Sequence, residues 1–218
     1  DGVTVRHLLS HTSGLQDVAA MDTALREGRS YDDVLAESGD RSCPPGQQMI
    51  YSNFGFGLLG CLLEHVTGQD IETIFQTRLF APLGLRATLD ASTLEESAIM
   101  PISRVLPYRK GRDVTVTRLG RQSIAHPDPL HRFGYTAGAM YTDAPSLAKL
   151  LRLIHHRGIY EGGRLIPEDL MMEMTRQQSS TPTRTYGLGL VLLDRPKLWP
   201  KRLLGHQGFA YGCVDGAF

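Results

Sequence analysis

The chain carries two kinds of hydrophobic pattern. Its earlier part places apolar residues at helical spacing, and its later part places them in short β-type runs. Val3–Leu9 reads as a short helix, with Thr4 as its cap and Val5, Leu8 and Leu9 on one face; Thr12-Ser13-Gly14 breaks it. Asp22–Glu27 and Tyr31–Glu37 read as two short helices in a polar region. Cys43-Pro44-Pro45-Gly46 is a stop and a turn. The clearest helix is Asn53–Val66, apolar almost all round, with Gly55, Gly57 and Gly60 admitting close neighbours and Gly68 ending it. Asp70 caps a further helix, Ile71–Phe80, which Pro82 closes.

Thr88–His131 is irregular, with a short strand over Val114–Thr117. Thr142-Asp143-Ala144-Pro145 opens a helix, since proline fits the first turn; this helix runs to about His156 and stops at Gly158. Pro167–Met174 starts another. Tyr186–Leu193 is a β run, and Leu203–His206 and Phe209–Val214 are further strands. Helices come first and strands last, so the class is α+β rather than a βαβ alternation. The organisation expected is a mainly helical region over residues 1–183 and a partial β-sheet region over residues 184–218.

Composition narrows the partners. The 218 residues balance 23 basic against 23 acidic side chains, which argues against nucleic acid or an anionic membrane as a partner. No apolar run approaches the length of a bilayer span. Cys43, Cys61 and Cys213 make neither a disulfide framework nor a zinc pattern, so free thiols are expected and the compartment stays open. Lysine is scarce, occurring only at Lys110, Lys149, Lys197 and Lys201.

Two small constellations carry candidate chemistry. Tyr51-Ser52-Asn53 lies between a Pro-Gly turn and the start of the apolar helix. Such a tyrosine can serve as a general base if nearby cations lower its phenol, and the asparagine can hold a substrate amide. The same three residues also read as a turn tyrosine and a helix-capping asparagine. His206-Gln207-Gly208 falls at the end of an apparent strand, where a glycine lets a ligand approach backbone; a surface histidine in a hairpin is the plainer reading. His7 and His11, four apart, could share a helix face as metal ligands do, but no third ligand has telling spacing, so neither a metal nor a cofactor is expected.

Taken in order, the blocks say more. Val3–Leu15 with its H-L-L-S-H-T-S-G-L run is followed by Pro45-Gly46 and Tyr51-Ser52-Asn53. Then come Gly138-Ala139-Met140 with Thr142-Asp143-Ala144, Tyr186-Gly187-Leu188-Gly189, and Gly205-His206-Gln207-Gly208. This series resembles the serine β-lactamase and penicillin-binding-protein family, in its class C, DD-peptidase and esterase branch, essentially from Asp1 to Phe218. The resemblance implies a β-lactamase/transpeptidase-like fold, of which the chain holds the helical region and part of the antiparallel sheet. It implies attack on an acyl carbonyl by a serine in an S-x-x-K motif, through an acyl-enzyme that water resolves. Tyr51 would move the proton to and from the serine, and Asn53 would orient substrate and the catalytic lysine. His206, Gln207 and Gly208 would line the opposite wall. The backbone N–H of Phe209 would pair with the serine's own as an oxyanion hole.

The chain departs from that pattern in three ways. The family's S-x-x-K lies upstream of the H-L-L-S-H-T-S-G-L run, and the only S-x-x-K here, Ser146–Lys149, follows Y-x-N instead. Lys149 falls about 140° from the apolar stripe of Leu147, Leu150, Leu151 and Ile154, hence towards solvent, so this pair is read as a decoy. Asp1 and Phe218 suggest a chain lacking both ends, with exposed sheet edges, low autonomous stability and a complementing fragment as partner. His206 and Gln207 stand where K-T-G has lysine and threonine. Histidine, ordinarily near pKa 6.5, is a weaker cation for a β-lactam carboxylate, which turns the reading towards ester, amide or D-amino-acid peptide substrates. The alternative is a non-catalytic relative whose cleft binds peptide or cell-wall ligands.

Overall fold

A computed structural model of the chain describes residues 2–17, 29–38, 42–99, 102–103, 113–114, 129–131, 134–194, 197, 199–210 and 213–218. Helix α1, Val5–Leu9, begins in a reciprocal capping box: the Thr4 hydroxyl accepts from the His7 N–H, and the His7 ring accepts from the Thr4 N–H. Helix α2 is Tyr31–Ser38. The helix expected over Asp22–Glu27 lies outside the described residues.

Helix α3, Asn53–Thr67, is the spine of the helical region. It ends at Gly68, whose φ of 66° is the left-handed cap geometry that glycine reaches without Cβ strain. Its buried face is Phe54, Gly55, Gly57, Gly60, Cys61 and Glu64, while Val66 is 79% exposed; the helix is amphipathic rather than apolar all round. Phe54 stacks on Tyr31 of α2 at 4.1 Å. Glu64 is buried because its carboxylate accepts the N–H of Ile71, an otherwise orphan donor at the start of the next helix.

That next helix differs from expectation. Asp70 caps it, as the sequence predicts, but α-geometry covers only α4, Ile71–Phe75; Gln76–Phe80 is a π-turn. Here Ala81 bonds back to Gln76 and Leu85 to Phe80, five residues each. The widening immediately precedes Pro82, whose ring would clash with the carbonyl four residues back in α-geometry. Strand β1, Ala87–Thr88, follows, then a short pair of β2, Ile102–Ser103, with β3, Asp113–Val114. Of the strand expected over Val114–Thr117, only Val114 is described.

Helix α5, Tyr135–Gly138, packs against α3, and the Thr136 hydroxyl donates to the Phe56 carbonyl at 2.7 Å. Strand β4, Tyr141–Thr142, pairs with β1. Helix α6, Ala144–His155, is capped by Asp143, with Pro145 in its first turn. A hairpin of β5, Ile159–Tyr160, and β6, Gly163–Arg164, leads to helix α7, Glu168–Thr175.

The main sheet is antiparallel and five-stranded: β7, Ser179–Ser180; β8, Thr185–Tyr186; β9, Val191–Leu193; β10, Leu203–Ala210; and β11, Cys213–Ala217, in spatial order β11-β10-β9-β8-β7. Two expectations are corrected here. Tyr186–Leu193 is not one run but two strands joined by a tight turn, closed by a bond from the Gly187 N–H to the Leu190 carbonyl, with Gly189 at φ 70°. Leu203–His206 runs on through Ala210 as one β10, so Phe209 and Ala210 belong to it, while Cys213 and Val214 belong to β11. Gly208 lies inside the strand rather than at its end: it pairs with Asp215, and a Cβ there would come within 2.4 Å of the Asp215 carboxylate. Among the described residues no helix is long and apolar enough to cross a membrane.

Gly187 gives a test of how tightly the sheet sits on α7. A Cβ at this position would lie 2.1 Å from the Met174 carbonyl oxygen, which is backbone and cannot swing aside. Gly187→Ala should destabilise the chain by about 1–3 kcal/mol in urea unfolding; an unchanged midpoint would show that the α7–sheet contact is looser than drawn.

Candidate active site

The site is built where α3 starts and where the H-L-L-S-H-T-S-G-L turn meets the sheet. Ser52 is buried and its hydroxyl accepts the Gly55 N–H at 2.9 Å. The helix cap is therefore Ser52, not Asn53, and Asn53 is the first helical residue. Asp17 takes the donors of this first turn. One of its oxygens accepts from the Asn53 side-chain amide at 2.6 Å, and the other accepts the Phe54 N–H at 3.0 Å. A carboxylate suits the positive end of the helix, and because it only accepts, it turns the Asn53 NH₂ towards itself and the amide oxygen away.

Tyr51 stands one residue before the cap and is 36% exposed. Its ring lies 6.2 Å from that of His206, 6.2 Å from that of Tyr186 and 4.3 Å from that of His11. Tyr186 and His206 are 6.5 Å apart. Tyr51 and His206 are thus brought into one cluster from opposite halves of the chain, with Tyr186 and His11 completing it. The cation that was expected to lower the Tyr51 phenol is outweighed. Burial, Tyr186 and Asp17 push the phenol above its ordinary range, and only Arg184 opposes them.

His11 and Asp17 were not among the expected site residues. His11 is 2% exposed, and its Nδ1 accepts the Ser52 N–H at 3.1 Å. It does not share a helix face with His7, because α1 ends at Leu9 and His11 lies beyond it at φ 57°. His7 belongs to the cap of α1, and among the described residues no three His, Cys, Asp or Glu side chains gather as metal ligands do. Burial, and then the nearby His206, lower the His11 imidazole to about pKa 4, so the ring is neutral and the Nδ1 lone pair is free to accept.

His206 is not at a strand end: it pairs with Ala217 in the middle of β10, and its Nδ1 lies 2.7 Å from the Gln207 carbonyl. In a neutral ring that contact makes Nδ1 the donor and leaves Nε2 as the acceptor. The hydrogen-bond alternation of the sheet fixes which backbone groups face outward. The Gly187 N–H donates to Leu190, so Leu190 and Leu192 bond towards β8, and Val191 and Leu193 bond towards β10. Their partners Gly205 and Leu203 therefore bond towards β9. Two and four residues further on, Gln207 and Phe209 present their N–H and C=O along the same edge, past the last β9 partner. Among the described residues no strand pairs with this stretch of edge.

Ser146 and Lys149 are elsewhere and are used structurally. Ser146 is buried, its hydroxyl accepts the Arg86 N–H at 2.9 Å, and its own N–H donates to Asp143 at 2.8 Å. Lys149 is half-buried rather than free in solvent: its ammonium donates to the Gly84 carbonyl at 2.6 Å. The pair fastens α6 to residues 84–86 and does not form a nucleophile with its base.

A helical region against an antiparallel sheet, with Y-x-N on one side and H-x-G on the other, is the arrangement of the β-lactamase/transpeptidase-type fold. The Beta-lactamase family model matches residues 1–216, and the chain belongs to that family. It is 25% identical to penicillin-binding protein 4* of Bacillus subtilis over 221 residues, covering 95% of this chain and 46% of that protein. It is 39% identical to penicillin-binding protein 4 of Amycolatopsis lactamdurans over 103 residues, 44% of this chain and 25% of that one. Among solved structures it resembles the D-stereospecific amidohydrolase of Streptomyces sp., with a TM-score of 0.72 and 26% identity over 97% of this chain and 62% of that one. The penicillin-binding protein of Bacillus halodurans shares the fold, with a TM-score of 0.70 and 23% identity over 98% of this chain and 63% of that one. The chain spans less than half the length of these curated relatives.

A lowered histidine makes a stability prediction with a definite sign. Neutral His11 contributes stability that is fully present above its unfolded value of 6.5 and is lost as pH falls through about 4. The window is worth about 3 kcal/mol. Urea unfolding at about pH 7 and about pH 4.5 should show a steeper acid loss for the wild type than for His11→Asn, which cannot titrate. Parallel curves would show that His11 is not buried neutral. Asp17→Ala should cost about 1 kcal/mol at neutral pH by uncapping α3, read from the same unfolding midpoint.

Proposed function

We propose that this chain is part of a serine acyl hydrolase that works through an acyl-enzyme on amide, ester or D-amino-acid peptide substrates. The observation that carries this reading is the approach of Tyr51 to His206, 6.2 Å between rings, beside the outward-facing backbone of Gln207 and Phe209. The D-stereospecific amidohydrolase among its structural relatives supports the amide and D-residue preference.

The roles divide between the helical region, residues 1–183, and the sheet region, residues 184–218. A nucleophilic serine lies outside these 218 residues, in an S-x-x-K motif supplied by the intact protein or by a complementing fragment. Its lysine adds to the Arg184 cation, which alone is outweighed at Tyr51, and draws the phenol down far enough to exchange a proton with the serine and the leaving group. Asn53, with its amide oxygen turned away from Asp17, orients that lysine and the substrate amide. The Phe209 N–H faces the acyl oxygen as one half of the oxyanion hole, and the serine's own N–H is the other. The substrate backbone lies along the Gln207–Phe209 edge, where Gly208 keeps the strand flat enough to be approached. As an imidazolium, His206 keeps its Nδ1–H on the Gln207 carbonyl and donates through Nε2–H to the substrate's carboxylate or carbonyl.

The intact protein, offered short p-nitrophenyl esters, D-alanine amides and nitrocefin, should turn over the first two in preference to the third. Tyr51→Phe should lower kcat by about two to four powers of ten, and His206→Ala should act mainly on KM for carboxylate-bearing substrates. A fluorophosphonate that labels no serine, together with retained ligand binding, would overturn the hydrolase reading in favour of a non-catalytic binding module.

A further inference from the structure

His11 grips the chain on both sides of Tyr51. Its carbonyl accepts the Ile50 N–H at 2.7 Å, and its Nδ1 accepts the Ser52 N–H at 3.1 Å. Between these two bonds its ring lies against the phenol, with centroids 4.3 Å apart and planes inclined by 31°. The turn that carries His11 is in turn tied to the sheet. The Gly189 N–H donates to the Leu9 carbonyl at 2.9 Å, the Ser179 hydroxyl donates to the Ser10 carbonyl at 2.6 Å, and Tyr186 meets the His11 ring edge-on at 5.3 Å. His11 is therefore the mechanical link between the ledge that holds Tyr51 and the sheet that holds His206.

We propose that His11 is a positioning residue for Tyr51, fixing the phenol relative to the sheet wall by holding the N–H groups of the residues on either side of it, Ile50 and Ser52. The inference rests on the acyl-hydrolase reading of Tyr51. Few side chains meet its three demands. The position needs an acceptor at the place of Nδ1, a flat face for the phenol, and tolerance of φ 57°. Asparagine offers the acceptor and the backbone tolerance without the ring; glutamine carries an acceptor in the place of Nε2 instead; alanine offers none. The ring stays an acceptor because burial keeps it neutral.

The test uses the intact protein and a p-nitrophenyl ester, with near-ultraviolet circular dichroism to confirm folding. His11→Ala should lower kcat by about tenfold to a hundredfold, the penalty for a reacting group misplaced by about an ångström, with KM within about twofold. His11→Asn should recover most of that loss. If His11→Ala does not fold, His11→Gln takes its place with the same expectation. In a Tyr51→Phe background the same His11 substitution should cost nothing further, because no phenol remains to be placed, whereas a general loosening of the fold would lower the residual rate again. The inference is overturned if kcat stays within about twofold of wild type, if His11→Asn falls as far as His11→Ala, or if the two substitutions are additive. If Tyr51→Phe itself leaves kcat unchanged, it is the role assigned to Tyr51 that has failed, and the two failures are told apart.

Discussion

The structure depends on a polar turn that is buried and must find its hydrogen bonds inside the protein. Ser10, His11, Thr12 and Ser13 are each less than a tenth exposed. A buried donor or acceptor left unpaired costs about 1–3 kcal/mol, so four such residues in a row are tolerable only if their groups are matched from several directions. They are. The Ser10 hydroxyl donates to the Arg6 carbonyl, and the Thr12 carbonyl accepts from Gly46. The His11 carbonyl and ring accept from Ile50 and Ser52, and the Ser10 carbonyl accepts from Ser179. Satisfying this turn brings α1, the Pro-Gly turn, the start of α3 and the edge of the sheet to one place.

The helical region is organised by the same economy of donors. Ser52, Asp70 and Asp143 each give an oxygen to the first turn of a helix, and Glu64 reaches from α3 to the first N–H of α4. Asp17 does this for α3 while holding the Asn53 amide. The start of α3 and the Asn53 side chain are thus served by one carboxylate, so local stability there and the orientation of the Asn53 amide are the same constraint. On the other wall, the alternation of the β-ladder decides that Gln207 and Phe209, and not their neighbours, offer backbone groups outward.

Much of this was legible in the residues. Thr4, Asp70 and Asp143 announced helix starts, and Gly68 and Gly158 announced stops, because capping is decided by residues within one turn of each other. The order of the Y-x-N and H-x-G blocks, set among the others, pointed to the family and its α+β class. Local reading failed where a distant neighbour decided the outcome. His206-Gln207-Gly208 reads as the end of a strand, yet it lies within β10, where Gly208 accommodates the Asp215 carboxylate from across the ladder. Tyr186–Leu193 reads as one strand, yet the turn through Gly187 and Gly189 splits it, with Gly189 bonded to Leu9. Asn53 reads as a cap, yet the neighbouring Ser52 has the better reach to Gly55.

The sequence by itself determined the helix starts at Thr4, Asp70 and Asp143, the placing of the main sheet after the helices and the identity of Tyr51, Asn53 and His206 as residues of interest. These follow from periodicity, capping and motif order, all of which are local or serial properties. Only the tertiary structure decided that His11 accepts the Ser52 N–H, that Asp17 turns Asn53, that Lys149 fastens a helix, and that the Tyr51 phenol is raised. Each depends on which groups lie within a few ångströms and on how much water is excluded around them. A hydrogen bond or a desolvated charge takes its value from distance and burial, and neither is written in the spacing of residues along the chain.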